Sequence, residues 1–347
     1  MLFRSTYFNQ RKTNYFWNSI NRQLRVKHKC NISSDQFASF YSKIMSEDSS
    51  SPFTDEQKHI QALVQDYYNQ NIASSEPVVI SESHINKLFK YLNGNCSPGC
   101  DGITPEHLKY GNSLILRQHL ASIYSYILTH SVVPSDFNVG ILIPLPKKPG
   151  LNLNDPSNYR PITLSSTHSK MVELLMLPSD KLNHLQFGFR KQRSTSFGCS
   201  LLHDVITHFK SNNSDIYIGS LDAERCFDRI WHSGLFYKLI EVVPKPHWLF
   251  LYKWYSNLKA TVRLNGNNSF IFDVTRGTRQ GSVLSPTFFN IFINDLLNQL
   301  ESIDCGVRIG QNKFNHFAYA DDITLISSTV TGLQTLIDTC TDRKSVV

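Results

Sequence analysis

Three aspartates stand where side chains can do chemistry. Asp222 closes an apolar run, with Ile216, Ile218 and Leu221 before it, that reads as a strand ending in a carboxylate. Asp321-Asp322 lies between two runs of period-2 alternation, Phe317 and Tyr319 before it and Ile323 and Leu325 after it. That pattern predicts a β-hairpin with both aspartates at its tip. Aspartate is among the commonest turn residues, so each position alone reads as ordinary turn chemistry. Paired carboxylates are also hard oxygen ligands for Mg²⁺, an ion that serves several kinds of phosphate-ester chemistry. A second candidate ligand set fails: Cys96, Cys100 and His107 are close in sequence, but no fourth ligand follows at zinc-site spacing.

The elements that must hold these carboxylates can be read around them. Leu235, Phe236, Leu239 and Ile240 predict a helix after the Asp222 strand. Ser285-Pro286 predicts an N-cap followed by proline at the first helical position. Phe289, Phe292, Ile293, Leu296, Leu297 and Leu300 then recur at three- and four-residue intervals, as on an amphipathic helix. From Pro134 to Ile162 short apolar runs are cut by prolines, as in Gly140-Ile141-Leu142-Ile143-Pro144, which predicts short strands of a mixed sheet. Ile85, Leu88, Phe89 and Leu92 predict a helix over 81–93, capped by Ser81 or Ser83, and a glycine- and proline-punctuated loop follows at 97–102. Residues 1–45 read as helical and partly apolar, and the Ser-rich stretch 46–57 with Pro52 as a linker.

Composition narrows the class. The chain has 347 residues, 41% hydrophobic and 18% charged, a globular balance. The longest apolar candidate, Leu114 to Val133, carries Arg117, Gln118, His119 and His130, so it reads as an amphipathic helix rather than a membrane span. The formal net charge is +7, and its seven cations (Arg4, Arg11, Lys12, Arg22, Arg25, Lys27, Lys29) all precede the first acid, Asp35. This basic arm reads as a nucleic-acid-touching extension, an acid-poor targeting peptide or a solvated tail. The cysteines Cys30, Cys96, Cys100, Cys199, Cys226, Cys305 and Cys340 are odd in number and widely spaced, which fits free thiols in a reducing compartment. An intracellular protein of the nucleus or cytoplasm is expected.

Six segments, two of them holding the aspartates, give the context. They are Ser97-Pro98-Gly99-Cys100-Asp101-Gly102-Ile103 with Pro105-Glu106; Ile143-Pro144-Leu145-Pro146-Lys147-Lys148 with Asn158-Tyr159-Arg160-Pro161-Ile162-Thr163-Leu164; Gln186-Phe187-Gly188-Phe189-Arg190 with Ser194-Thr195; Leu221-Asp222 with Phe227-Asp228; Arg279-Gln280-Gly281-Ser282-Val283-Leu284-Ser285-Pro286; and Tyr319-Ala320-Asp321-Asp322. In this order, over about residues 85–340, the sequence resembles the reverse transcriptase domain of non-LTR (LINE-like) retrotransposons.

The resemblance implies an RNA-directed DNA polymerase, a nucleotidyltransferase that adds a dNTP to the 3′-hydroxyl of a DNA primer on an RNA template. It implies two Mg²⁺ ions, with Mn²⁺ as a substitute, held by Asp222 and Asp321, with Asp322 more peripheral and the carbonyl of Ala223 within reach. Arg160, with Lys147 or Lys148, would grip the triphosphate, Gln280 and Gly281 would line the nucleotide pocket, and Phe227 would exclude a ribose 2′-hydroxyl. Gly188, Arg190 and Tyr319 would meet template or primer. The implied fold is α+β, a right-hand polymerase of fingers and palm, the palm an antiparallel sheet with helices on one face. The following palm motif and the thumb are not recognisable after Asp322, so the sequence reads as truncated there, with the thumb missing. The expected divisions are a basic arm and linker (1–57), a helical extension of the fingers (58–133), and fingers and palm (134–347). No membrane partner is expected. The alternative is a degenerate fragment that folds or binds RNA without polymerising. A metal-dependent phosphohydrolase or nuclease accounts for the aspartates but not for Phe227, Arg160 or the Arg279-Gln280-Gly281 segment.

Overall fold

The computed structural model describes residues 30–47, 53–73, 76–94, 96–178, 182–190, 192–223 and 225–342. All seven cations of the basic arm lie outside these residues, as does Pro52. Among the described residues no helix is long and apolar enough to cross a membrane.

Among the described residues two larger sheets organise the fold, beside a two-stranded ribbon of β7 (Val307–Ile309) and β8 (Asn312–Phe314). The first is mixed. Strand β1 (Val139–Pro146) pairs antiparallel with β2 (Tyr159–Leu164) and parallel with β4 (Lys259–Leu264), which carries the short strands β5 (Asn267–Asn268) and β6 (Phe272–Asp273). The prolines of this region fit the pairing. Pro161 is on the edge strand β2, and Pro144 lies past the last β1–β4 partners, Leu142 and Val262, so its missing N–H costs no bond to β4.

The second sheet is antiparallel, in the order β3 (Tyr217–Asp222), β10 (Asp322–Ser327), β9 (His316–Tyr319). Its alternation sends Leu221, Ile323 and Leu325 into the main core, against α12 (Ser285–Ser302) and α13 (Val330–Asp342). Phe317 and Ile326 point the other way, into a smaller cluster with Val205 of α8 (Thr195–Ser211). Helices were expected on one face only; α8 covers the second face beside β9, because Phe317 and Ile326 make that end of it apolar too.

The remaining helices fill the core. Helices α2 (Asp55–Asn71), α3 (Glu82–Tyr91), α4 (Pro105–Tyr110), α5 (Leu114–Thr129) and the short α6 (Ser135–Asn138) precede β1, and α7 (Thr167–Leu175) follows β2. Ser81 caps α3, its hydroxyl accepting from the His84 N–H. After β3 come the single turn α9 (Cys226–Arg229), then α10 (His232–Leu239) and α11 (Lys245–Tyr255). Trp248 and Trp254 of α11 are fully buried, and their indole N–H groups donate to the carbonyls of Phe236 and Phe137 at 2.9 and 2.8 Å.

Two local expectations change. Helix α12 begins at Ser285 with Leu284 as its cap residue, and the Ser285 hydroxyl donates to the Arg279 carbonyl at 2.8 Å. That serine ties down the loop before the helix instead of capping the helix. The boundary at 57 is also crossed by packing. Helix α1 (Ser34–Met45), closed by a capping box between Ser33 and Gln36, buries Phe37, Ala38, Tyr41 and Met45 against Leu142, Tyr159, Val262 and Phe272 of the mixed sheet.

Candidate active site

Strand pairing brings the three aspartates together. In the β3–β10 ladder Asp222 lies directly opposite Asp322, and in the β9–β10 hairpin Asp322 faces Tyr319. Ala320 and Asp321 form the turn, with Ala320 at φ +57°. Like charges directly opposite in a sheet repel. The carboxyl of Asp322 is accordingly pushed above the ordinary carboxylate range, by desolvation first and then by the charges of Asp321 and Asp222. Asp321 is half-buried and accepts the thiol of Cys226 at 3.4 Å, and that thiol is pushed up by burial and then by Asp321.

A cleft of about 700 Å³ opens between this hairpin and the mixed sheet. Its walls include Lys147, Arg160, Asp222, Ala223, Phe227, Gln280, Gly281 and Asp321, residues drawn from 175 positions of sequence and expected to act together. Lys147 lines it and Lys148 does not. Arg160 is exposed on the edge strand β2, so its guanidinium is held by no competing carboxylate among the described ion pairs. Phe227 is half-buried, tilted against Phe289 at 4.7 Å and edge-on to Phe189 at 5.8 Å, with one side on the cleft.

The loop carrying Gln280 and Gly281 is held from three directions. The Thr163 N–H of β2 donates to the Gln280 carbonyl at 2.7 Å. Gly281 has φ +111°, and a Cβ there would sit 3.0 Å from the Thr163 carbonyl oxygen, so both conformation and space demand glycine. The Gln280 amide donates to Asp228 Oδ1 at 2.7 Å. Asp228 is buried, and that burial pushes its carboxyl up to about 6 despite the Gln280 bond and the nearby cations Arg225 and Lys147. On the loop's far side the buried carboxylate of Glu173 accepts the Ser282 hydroxyl at 2.8 Å and the Val283 N–H at 2.6 Å. Burial raises the Glu173 pKa, while those two bonds and Arg279 oppose the rise.

Glu173 and Asp228 had no assigned role in the sequence. The signal was present for Glu173, an acid among Met171, Val172, Leu174 and Leu175 on a helix whose apolar face is buried. Phe40 and Tyr41 were also unassigned. Helix α1 places both on the cleft wall, with Arg225 over the Phe40 ring at 5.2 Å.

The three residues expected to meet template or primer are not brought into the cleft. Gly188 packs beneath the hairpin, where a Cβ would fall 2.1 Å from the Ala320 nitrogen. Arg190 donates to the carbonyls of Asn183 and Gln186 and borders a separate cavity near α10 and α12. Tyr319 packs beside Phe317 and Ile326.

Among the described residues no three acidic, histidine or cysteine side chains already converge on a point that could hold an ion. The donor chemistry nevertheless suits a hard cation: the carboxylates of Asp222 and Asp321 share the cleft wall, and Asp322 lies directly opposite Asp222.

Known proteins resemble this chain. The family model described as reverse transcriptase (RNA-dependent DNA polymerase) matches residues 145–346. A probable RNA-directed DNA polymerase from transposon BS of Drosophila melanogaster is 29% identical over 297 residues, 78% of this chain and 31% of the relative. The Pol polyprotein of the retrotransposable element R2DM, from the same fly, is 28% identical over 72% of this chain and 24% of its own length. The RNA-directed DNA polymerase from mobile element jockey of Drosophila funebris is 28% identical over 73% of this chain and 28% of its own length. The chain therefore spans about a quarter to a third of these relatives. With the match covering more than half of its residues, the chain belongs to the reverse transcriptase family, alongside the RNA-directed DNA polymerases of non-LTR retrotransposons.

Proposed function

We propose that this chain carries the fingers and palm of a polymerase that copies an RNA template by adding dNTPs to a DNA primer. The observation that carries the reading is the single cleft uniting Asp222 and Asp321 with Arg160, Lys147, Phe227 and the Gln280-Gly281 loop. Divalent ions held by Asp222, Asp321 and the Ala223 carbonyl, with Asp322 at the margin, would lower the charge barrier to attack on the α-phosphate.

The chain's own residues do the rest. Arg160 on β2, with Lys147 nearby, offers cationic donors to the triphosphate. The Phe227 ring forms the floor beneath the sugar and excludes a 2′-hydroxyl. Asp228 holds the Gln280 amide in place, and Glu173 fixes the backbone just beyond Gly281, so the nucleotide pocket is set before substrate arrives. An RNA template and cysteines without a pairing pattern support an intracellular setting, in nucleus or cytoplasm.

The test is incorporation of labelled dNTP on an RNA template–DNA primer duplex with Mg²⁺. Template-dependent extension is expected. Tight RNA binding without extension would instead support the non-polymerising alternative, and strand cleavage without incorporation would support a nuclease.

A further inference from the structure

The catalytic turn is held by a side chain from the segment that was expected to touch template. Gln186 is completely buried. Its amide oxygen accepts the Ala320 N–H at 3.0 Å, and its amide nitrogen donates to the Ala320 carbonyl at 3.2 Å. One primary amide thus satisfies both backbone groups of the residue that takes φ +57° and immediately precedes Asp321. The same oxygen also accepts the Gly188 N–H at 2.8 Å.

The clamp is itself anchored. Residues 185–187 run beside β9, with Ala318 N–H donating to the Leu185 carbonyl at 2.9 Å and Phe187 N–H to the Ala318 carbonyl at 2.8 Å. Three asparagines at four-residue spacing on α12 hold this segment. Asn290 donates to the Gly188 carbonyl at 3.0 Å, Asn294 accepts the Asn183 N–H at 2.7 Å, and Asn298 accepts the Asn183 amide at 3.0 Å. Helix α12 also begins directly after the Gln280-Gly281 loop. One rigid helix therefore fixes both the nucleotide loop and, through Gln186, the carboxylate turn.

We propose that Gln186 is a positioning residue that sets the direction in which Asp321 presents its carboxylate to a divalent cation. The Ala320 peptide determines where the Asp321 side chain leaves the backbone, and only a side chain with both a donor and an acceptor can pair both groups of Ala320. A methionine of similar length leaves both unpaired; a glutamate keeps the acceptor and loses the donor. The inference rests on the reading of Asp321 as a metal-holding carboxylate.

The test is Mn²⁺ binding to the full chain, read from loss of the free-ion electron paramagnetic resonance signal, beside primer extension. Binding by Gln186→Met should be about tenfold weaker than wild type, and binding by Gln186→Glu should fall between the two. Leu128→Ala opens a cavity in the main core on α5, which packs on α3 and α11 and not on the clamp, so it controls for general destabilisation and should bind within about twofold of wild type. If Gln186→Met does not fold, Gln186→Glu against Leu128→Ala makes the same comparison. Wild-type affinity in the Gln186 variants, with binding lost in Asp321→Asn, would overturn the proposal and leave the polymerase reading intact. An equal loss in Leu128→Ala would overturn it as well. A Gln186-specific loss of Mn²⁺ in a chain that extends no primer would uphold the clamp and refute the polymerase reading.

Discussion

Replacing Asp228 by asparagine separates the charge at this position from its hydrogen bond. An asparagine oxygen can still accept the Gln280 amide, so the 2.7 Å contact survives while the buried negative charge is removed. The folded carboxyl is raised from its ordinary 3.8 to about 6. Below pH 3.8 it is protonated in both folded and unfolded chains and costs nothing. Between 3.8 and about 6 the folded chain binds a proton that the unfolded chain has released, so stability falls as pH rises. Above about 6 the penalty is full and constant, about 3 kcal/mol at roughly 1.4 kcal/mol per pH unit. Asp228→Asn should therefore match wild type near pH 4 and pull ahead through pH 6, ending about 4 °C higher in thermal midpoint at pH 7.5. The assay is thermal unfolding of both proteins across pH 4–8. A midpoint difference that does not change with pH would refute the reasoning, and a less stable asparagine variant at pH 7.5 would reverse it.

Other expectations follow from the same loop and its neighbours. Glu173→Ala strips the Ser282 hydroxyl and Val283 N–H of their acceptor and Arg279 of its nearby counter-charge, and should cost about 3–5 kcal/mol in urea unfolding. Glu173→Gln should cost less than half of that. Gly281→Ala forces a side chain into φ +111° against the Thr163 carbonyl, which should cost about 1–3 kcal/mol and raise the KM for dNTP. Phe227→Ala should open the cleft floor and relax discrimination against ribonucleotides on the order of tenfold to a hundredfold, measured as the ratio of kcat/KM values. Unchanged discrimination would make Phe227 a packing residue of the Phe289 and Phe189 contacts alone.

The parts of the site legible in the sequence are those that local pattern dictates. Phe317 to Leu325 alternates because one hairpin buries Ile323 and Leu325 in the main core and Phe317 in the smaller cluster; of the two aspartates expected at the tip, Asp321 is in the turn and Asp322 is the first residue of β10. Helix α12 was visible from its apolar spacing, and the mixed sheet from its proline-cut strands. What stayed hidden depends on partners far away along the chain. Glu173 reaches Ser282 across 109 positions, and Gln186 reaches Ala320 across 134. No periodicity reports such a bond, because only the fold brings the two ends together. Gly188 and Arg190, expected at the template, have contacts of the same hidden kind, beneath the hairpin and along the 183–186 loop. The N-terminal charge was likewise a poor guide to α1, whose apolar face, not its neighbours' charge, joins it to the cleft.

The central claim is that Asp222 and Asp321 act together in one metal-dependent site. Single-turnover primer extension on an RNA template with Mg²⁺, comparing wild type with Asp222→Asn and Asp321→Asn, tests it most directly. Each substitution should slow extension by on the order of 10³-fold or more, the loss of several kcal/mol of charge stabilisation, with Asp322→Asn milder. Extension at the wild-type rate in either the Asp222 or the Asp321 variant would contradict the account.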